Sequence, residues 1–235
     1  MSCRLTLLVR ALTFRSVENI VSKRKLNTFV NDIKLMLPDS LSVVCFDDCL
    51  ILSPLTDSLL RTVVFVEDRY RKKQYECLAV FLPLYYPLDA FILSFSKPVL
   101  RDEDRKERLS ASYWTLDECE MVAKAITEQA IPFLNRATSA KEFATLIPKI
   151  CTGRTYFVDE LIALSYARAG HFVIASLQLK LLFLQYRLQR NRSGCQRLSL
   201  FLDALREGNS SNLFKEIVEN SVVSIGFSDA PIRMA

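Results

Sequence analysis

The hydrophobic period of this chain changes partway along. Up to about Val99, apolar residues alternate or run in short β-branched and aromatic blocks; from Thr115 onward they recur every three or four positions. Alternation places successive side chains on opposite faces of a strand, whereas a repeat of 3.6 places them on one side of a helix. A strand-forming stretch followed by a helix-forming one predicts an α+β fold, with an N-terminal helix and a mainly antiparallel sheet followed by an all-helical part. The expected organisation is an α/β part over 1–100, a charged connecting loop over 101–114 and a helical part over 115–235, packed together as one unit.

Local signals fill in the elements. Ser16 can cap a helix over Val17 to Leu37, with Ile20, Val21, Phe29, Val30, Ile33 and Leu37 on one stripe, stopped by Pro38. Leu41 to Phe46 and Cys49 to Leu52 read as a hairpin turning at Asp47-Asp48. Leu59 to Val66, Gln74 to Leu84 and Ala90 to Phe95 read as further strands. The second of these is apolar on both faces and should lie centrally. Residues 101–108, RDEDRKER, have alternating signs and no apolar anchor, the pattern of a solvated loop. Thr115 and Glu118 form a T-x-x-E capping box for a helix running to Asn135, with Pro132 as a kink or stop. Ser139 caps a helix to Ile150. Tyr156 to Ala169 and His171 to Arg190 form a helical hairpin broken at Gly170. Leu198 to Leu205 and Asn212 to Glu219 complete the set, before an irregular tail after Val223.

Composition narrows the chemistry. Five glycines are too few for the phosphate-cradling loops of nucleotide enzymes, and neither G-x-G-x-x-G nor a Walker-type loop occurs. Seven cysteines, at 3, 45, 49, 77, 119, 151 and 195, include no C-x-x-C pair, and His171 is the single histidine. Zinc sites need clustered Cys and His ligands, so these residues read as thiols packed as small hydrophobes in a reducing cytoplasm. Neither a metal nor a cofactor is called for. No uninterrupted apolar run reaches the length of a membrane span, since Gln178 and Lys180 break the best candidate. Met1 to Ser16 carries three arginines and no acid; it reads as an amphipathic first element, with Leu5, Leu8 and Leu12 facing in, rather than as a targeting leader.

Net charge is +5, but neither half is a basic domain: 17 basic against 14 acidic residues in 1–110, then 14 against 12 in 111–235. Two local clusters stand out. Arg69, Arg71, Lys72 and Lys73 are interleaved with Tyr70 and Tyr75. Arg187, Arg190, Arg192 and Arg197 surround Ser193-Gly194. Basic residues beside aromatics can clamp a nucleic acid strand or steer an acidic protein; they also suit a solvated turn and a helix C-terminus. The aromatic block from Phe81 to Phe95 carries Pro83 and Pro87, which cannot donate to a ladder and belong at an edge or loop. Tyr85 and Tyr86 between them are expected to be partly exposed, and Trp114 could join them as interface residues. Phe81, Phe91 and Phe95 are expected in the core.

Catalytic sets are weak. His171 beside Gly170 reads as the start of a helix rather than a general base, and no serine or cysteine pairs with it in sequence. Asp47-Asp48 suits a turn, Asp159-Glu160 suits a helix N-terminus, and Glu67-Asp68 near Glu76 is a thin case for a metal-dependent nuclease.

Residues 162–175, IALSYARAGHFVIA, resemble a tetratricopeptide helix pair, in which small residues let two helices approach and a glycine reverses the chain. The resemblance covers 156–186. Asp159 stands where that repeat prefers tryptophan, Leu182 replaces its second small residue, and no second copy follows at 34 residues. A single pair implies packing rather than a peptide groove. More loosely, 80–99, Trp114, 131–139 and 156–172 resemble a family of uncharacterised bacterial α+β proteins. That resemblance implies a sheet followed by helices, with no catalytic residues to carry over, and by analogy an immunity or accessory role toward a secreted toxin. The expectation is a non-enzymatic protein-binding module presenting the tyrosine edge, Trp114 or the helical hairpin to a protein partner. Association with nucleic acid through the arginine patches is the alternative, followed by the nuclease. Nothing in the sequence sets an oligomeric state.

Overall fold

The computed structural model describes residues 19–46, 49–67, 75–87, 95–102, 107–111, 115–151 and 155–225. The fold is α+β, with an antiparallel sheet followed by helices. Helix α1 (Asn19–Met36) buries Phe29, Val30 and Ile33 of its expected stripe together with Leu26, and Leu37 just beyond its end is buried too; the side chains of Ile20 and Val21 lie outside the described residues. Strands β1 (Val43–Phe46), β2 (Cys49–Thr56), β3 (Leu59–Glu67), β4 (Tyr75–Pro83) and β5 (Ser96–Pro98) follow in spatial as well as chain order. Neighbours in chain order pair antiparallel because hairpins need only short connections. β4 is central, as its two apolar faces require, and most of it is buried.

The structure corrects the strand limits in two places. β2 runs past Leu52 to Thr56, because Pro54 is absorbed by a register shift between Leu52 and Thr56 rather than ending the strand. Asp57 and Ser58 then turn the chain at φ 52° and 57°, the left-handed pair that a two-residue hairpin needs. The charged segment is not simply a loop: β6 (Leu100–Asp102) and β7 (Glu107–Arg108) form a ribbon, and β8 (Ser110–Ala111) returns to pair with β4. The strand expected at Ala90 to Phe95 lies largely outside the described residues, as do Asp47-Asp48, the chain before Asn19 and the tail beyond Ile225.

The first long helical run is not uniform either. α2 (Leu116–Ala125) opens with the Thr115–Glu118 capping box, but Ile126–Ala130 is a π-helical turn before α3 (Ile131–Leu134). Pro132 has no N–H to donate, so an α-helical ladder cannot pass through it. The wider turn holds half-buried Gln129 beside β6, where its side-chain amide accepts from Leu100 N at 2.8 Å and donates to Leu100 O at 2.7 Å. One side chain thus satisfies the edge backbone of β6. Ser139 caps α4 (Ala140–Ile150), accepting from Glu142 N, while the Glu142 carboxylate accepts from Thr138. α5 (Tyr156–Arg168), α6 (Phe172–Leu188), α7 (Arg192–Arg206) and α8 (Ser210–Ser224) follow, the last two longer than their apolar spacing indicates.

Sheet and helices share one core. Phe81 of β4 lies 5.2 Å from Phe133 and 5.3 Å from Phe143 between ring centres, and Phe95 lies 5.4 Å from Phe143. Polar contacts fix the docking. Arg61 donates to Asn135, and Arg168 donates to the Asp57 carbonyl and the Ser58 hydroxyl. Asp57 in turn accepts from Ala140 N, at the start of α4. The β2–β3 turn is therefore held by two helices at once.

Candidate interaction surface on the helical half

Helices α5 to α8 are joined by three turns of one kind. Gly170, Arg190 and Gly208 each take a left-handed conformation. The next residue then donates back to a carbonyl five positions earlier: His171 to Tyr166, Asn191 to Tyr186, Asn209 to Ala204. Such a cap satisfies carbonyls that the helix end leaves unpaired and reverses the chain in few residues. The result is a row of consecutively packed helices, with α6 between α5 and α7.

A charged cluster ties that row together inside. Glu160 of α5 has no exposed surface. Its carboxylate accepts from Arg197 Nε at 2.5 Å and Arg197 Nη2 at 2.8 Å, and from the Tyr186 hydroxyl at 3.1 Å. Three helices meet at one carboxylate. The paired oxygens hold the guanidinium protonated beyond its usual range, and burial with the neighbouring carboxylate pushes the Tyr186 phenol up to about 12. Gly194 makes room: a Cβ there would stand 2.5 Å from the Tyr186 ring. This cluster is structural, with both carboxylate oxygens already facing donors.

The outer side of α6 has the opposite character. Val173, Leu177, Leu181, Leu184 and Leu188 are 85%, 63%, 55%, 54% and 84% exposed. Their spacing of three and four residues lines them along one side of the helix. The other side buries Ala175, Leu179, Leu182 and Tyr186 against its neighbours. Only Lys180 and Arg187 are charged in its 17 residues. Helices apolar all round are normally covered all round; α6 is covered on one side. Its outer stripe exposes about 600 Å², at the upper end of the largest apolar patch that a monomer carries.

The structure sorts the residues proposed from sequence. Tyr85 and Tyr86 are 0% and 7% exposed, which corrects the expected tyrosine edge. Tyr85 reaches Ser165 of α5 at 2.7 Å and stacks edge-on to Phe214 of α8; Tyr86 lies edge-on to Phe157, and its carbonyl accepts from Ser221. The prolines do place this stretch in a turn beyond β4, but α5 and α8 cover it. Arg187, Arg190 and Arg192 are exposed at the end of α6 and start of α7, while Arg197 is committed to Glu160. Trp114 and the cluster Arg69, Arg71, Lys72 and Lys73 lie outside the described residues. His171 precedes α6, its ring edge-on to Tyr166 at 6.1 Å. Among the described residues no group of three or more His, Cys, Asp or Glu is placed to hold a metal ion, and no helix is long and apolar enough to cross a membrane. An open cleft of about 260 Å³ beside the end of α1 is lined by Met36, Pro38, Glu120, Lys124 and Glu128; Lys124 and Glu128 face each other at 3.9 Å in solvent, an ordinary surface pair.

Sequence reasoning missed Glu160 as a buried centre, Tyr186 and Gly194 as its supports, and, within the helical hairpin it proposes as a surface, which face of α6 stays open. Only the last had a readable signal, the near absence of charge over 172–188. Comparison with protein-family models, curated proteins and solved structures gave no match to this chain.

Proposed function

We propose that this chain is a non-enzymatic protein-binding module whose docking surface is the outer face of α6. The observation that carries the reading is the leucine stripe itself. Leu177, Leu181 and Leu184 leave more than half of their surface in water beside the core that Leu179 and Leu182 build, at a cost that a partner would remove. The helical hairpin, rather than the tyrosine turn, is the part of the expected surface that this supports. The cysteine usage, with Cys77 buried and its thiol held far from ionisation, suits a reducing cytoplasm.

In-cell photocross-linking tests it. A photoreactive residue at Leu181 should yield a discrete protein adduct, and one at exposed Lys215 of α8 should not. Equal, diffuse labelling from both positions would remove α6 as a docking surface.

A second reading, nucleic-acid association, rests on the exposed corner formed by Arg187, Arg190 and Arg192. It predicts an affinity that falls steeply with salt. A blank gel shift at low ionic strength, on both RNA and DNA, would dispose of it.

A further inference from the structure

The apolar stripe on α6 lies in an acid-free stretch. From Leu161 to Leu202 there is no Asp or Glu, while Arg168, Lys180, Arg187, Arg190, Arg192 and Arg197 are all basic. Arg197 is neutralised by Glu160. Lys180, Arg187, Arg190 and Arg192 are exposed on α6 or just beyond its end. Resting on the reading of α6 as a protein-docking face, we infer that its occupant is an acidic amphipathic helix of another protein. That helix lies antiparallel to α6, with carboxylates opposite Lys180, Arg187, Arg190 and Arg192.

Three observations select this occupant. The first is length and spacing. α6 offers a seam about 25 Å long with side chains three and four residues apart, the repeat that a second helix meshes with. The second is shape. Exposure is highest at the two ends of the seam, Val173 and Leu188, and lowest at Leu181 and Leu184 in between. Leu181 and Leu184 are thus partly covered by neighbouring residues while the ends stand clear, a contour along which a rod can lie. The third is charge. Area alone would permit a second copy, since two such faces together reach roughly the 1,200 Å² of a small stable interface. Charge opposes it. A parallel pair brings no acid opposite Lys180 or Arg187 of either copy. An antiparallel pair sets Arg187, Arg190 and Arg192 against the other copy's α6 N-terminus, itself positive, and near its Arg168. An acidic helix removes the conflict. Running antiparallel, it brings its own N-terminal turn, where carboxylates are favoured, to the arginine end of α6.

The test uses the whole chain and two synthetic helical peptides of about 20 residues, matched to the seam length. Both carry one leucine seam; the flanking positions are all Glu in one and all Lys in the other. Fluorescence anisotropy should show the Glu peptide binding at least about tenfold tighter than the Lys peptide, and losing most of that advantage at high salt. The pair Leu177→Gln with Leu184→Gln should abolish binding with an unchanged far-UV circular dichroism spectrum. Lys180→Glu with Arg187→Glu should reverse the peptide preference. Equal binding of the two peptides, or binding untouched by the leucine changes, overturns the proposal. Dimerisation of the protein alone, lost in Leu181→Lys, overturns the acidic helix as occupant but leaves α6 as a docking face. Binding to phosphatidylserine vesicles or to RNA that is lost with the leucine pair, and no peptide binding, overturns both.

Discussion

Glu160 shows how much one residue can determine. A carboxylate without exposed surface is tolerable only while donors face it, and Arg197 with Tyr186 supplies three. Arg197→Met would leave that charge buried with a single neutral donor; chemical denaturation should show a loss of about 3 kcal/mol. The double change Glu160→Leu with Arg197→Met should recover most of the loss, since it removes both charges together. Tyr186 gives a pH signature. An unfolded tyrosine ionises near 10, but in the fold burial and Glu160 delay ionisation to about 12. The contribution is whole below pH 10 and disappears as pH rises through about 12. Unfolding stability measured across that window should fall less steeply in Tyr186→Phe. None of this is legible in sequence: Glu160 and Arg197 are 37 residues apart, and an acid in the first two turns of a helix is already explained by the dipole.

At the scale of elements, caps and turns decide where the chain reverses. Gly170 and Gly208 hold the left-handed caps, and Arg190 holds the same conformation against the clash of its own Cβ. Arg190→Gly should raise stability by about 0.5–1 kcal/mol, read as a shift in the denaturation midpoint at constant slope. The repeat was visible at Gly170 and hidden at Arg190, where no glycine marks the turn. Other elements divide in the same way. The capping residues Thr115 and Ser139 announce α2 and α4, and two apolar faces announce β4 as central. The passage of β2 through Pro54, the π-helical turn before Pro132 and the ribbon within RDEDRKER depend on partners distant in sequence. So does the burial of Tyr85 and Tyr86. Prolines fix that they sit in a turn, while α5 and α8, more than 70 residues later, decide that the turn is covered.

The whole molecule is organised around β4 and the aromatic side chains that link it to α3, α4 and α5. A continuous core of this kind should unfold as a unit. Helical circular dichroism and thiol exposure of Cys77 in the sheet should therefore be lost at one denaturant concentration. Two separated transitions would contradict the shared core. Against that core, the outer apolar side of α6 stays more than half exposed. The most direct measurement is the thermal unfolding of Leu177→Gln with Leu184→Gln beside the unaltered chain. If these leucines serve a partner, the midpoint should move by no more than about 2 °C, as for other surface changes. A drop matching the ~2–5 kcal/mol of each emptied core leucine would show that they hold the fold itself, and the docking face would be lost.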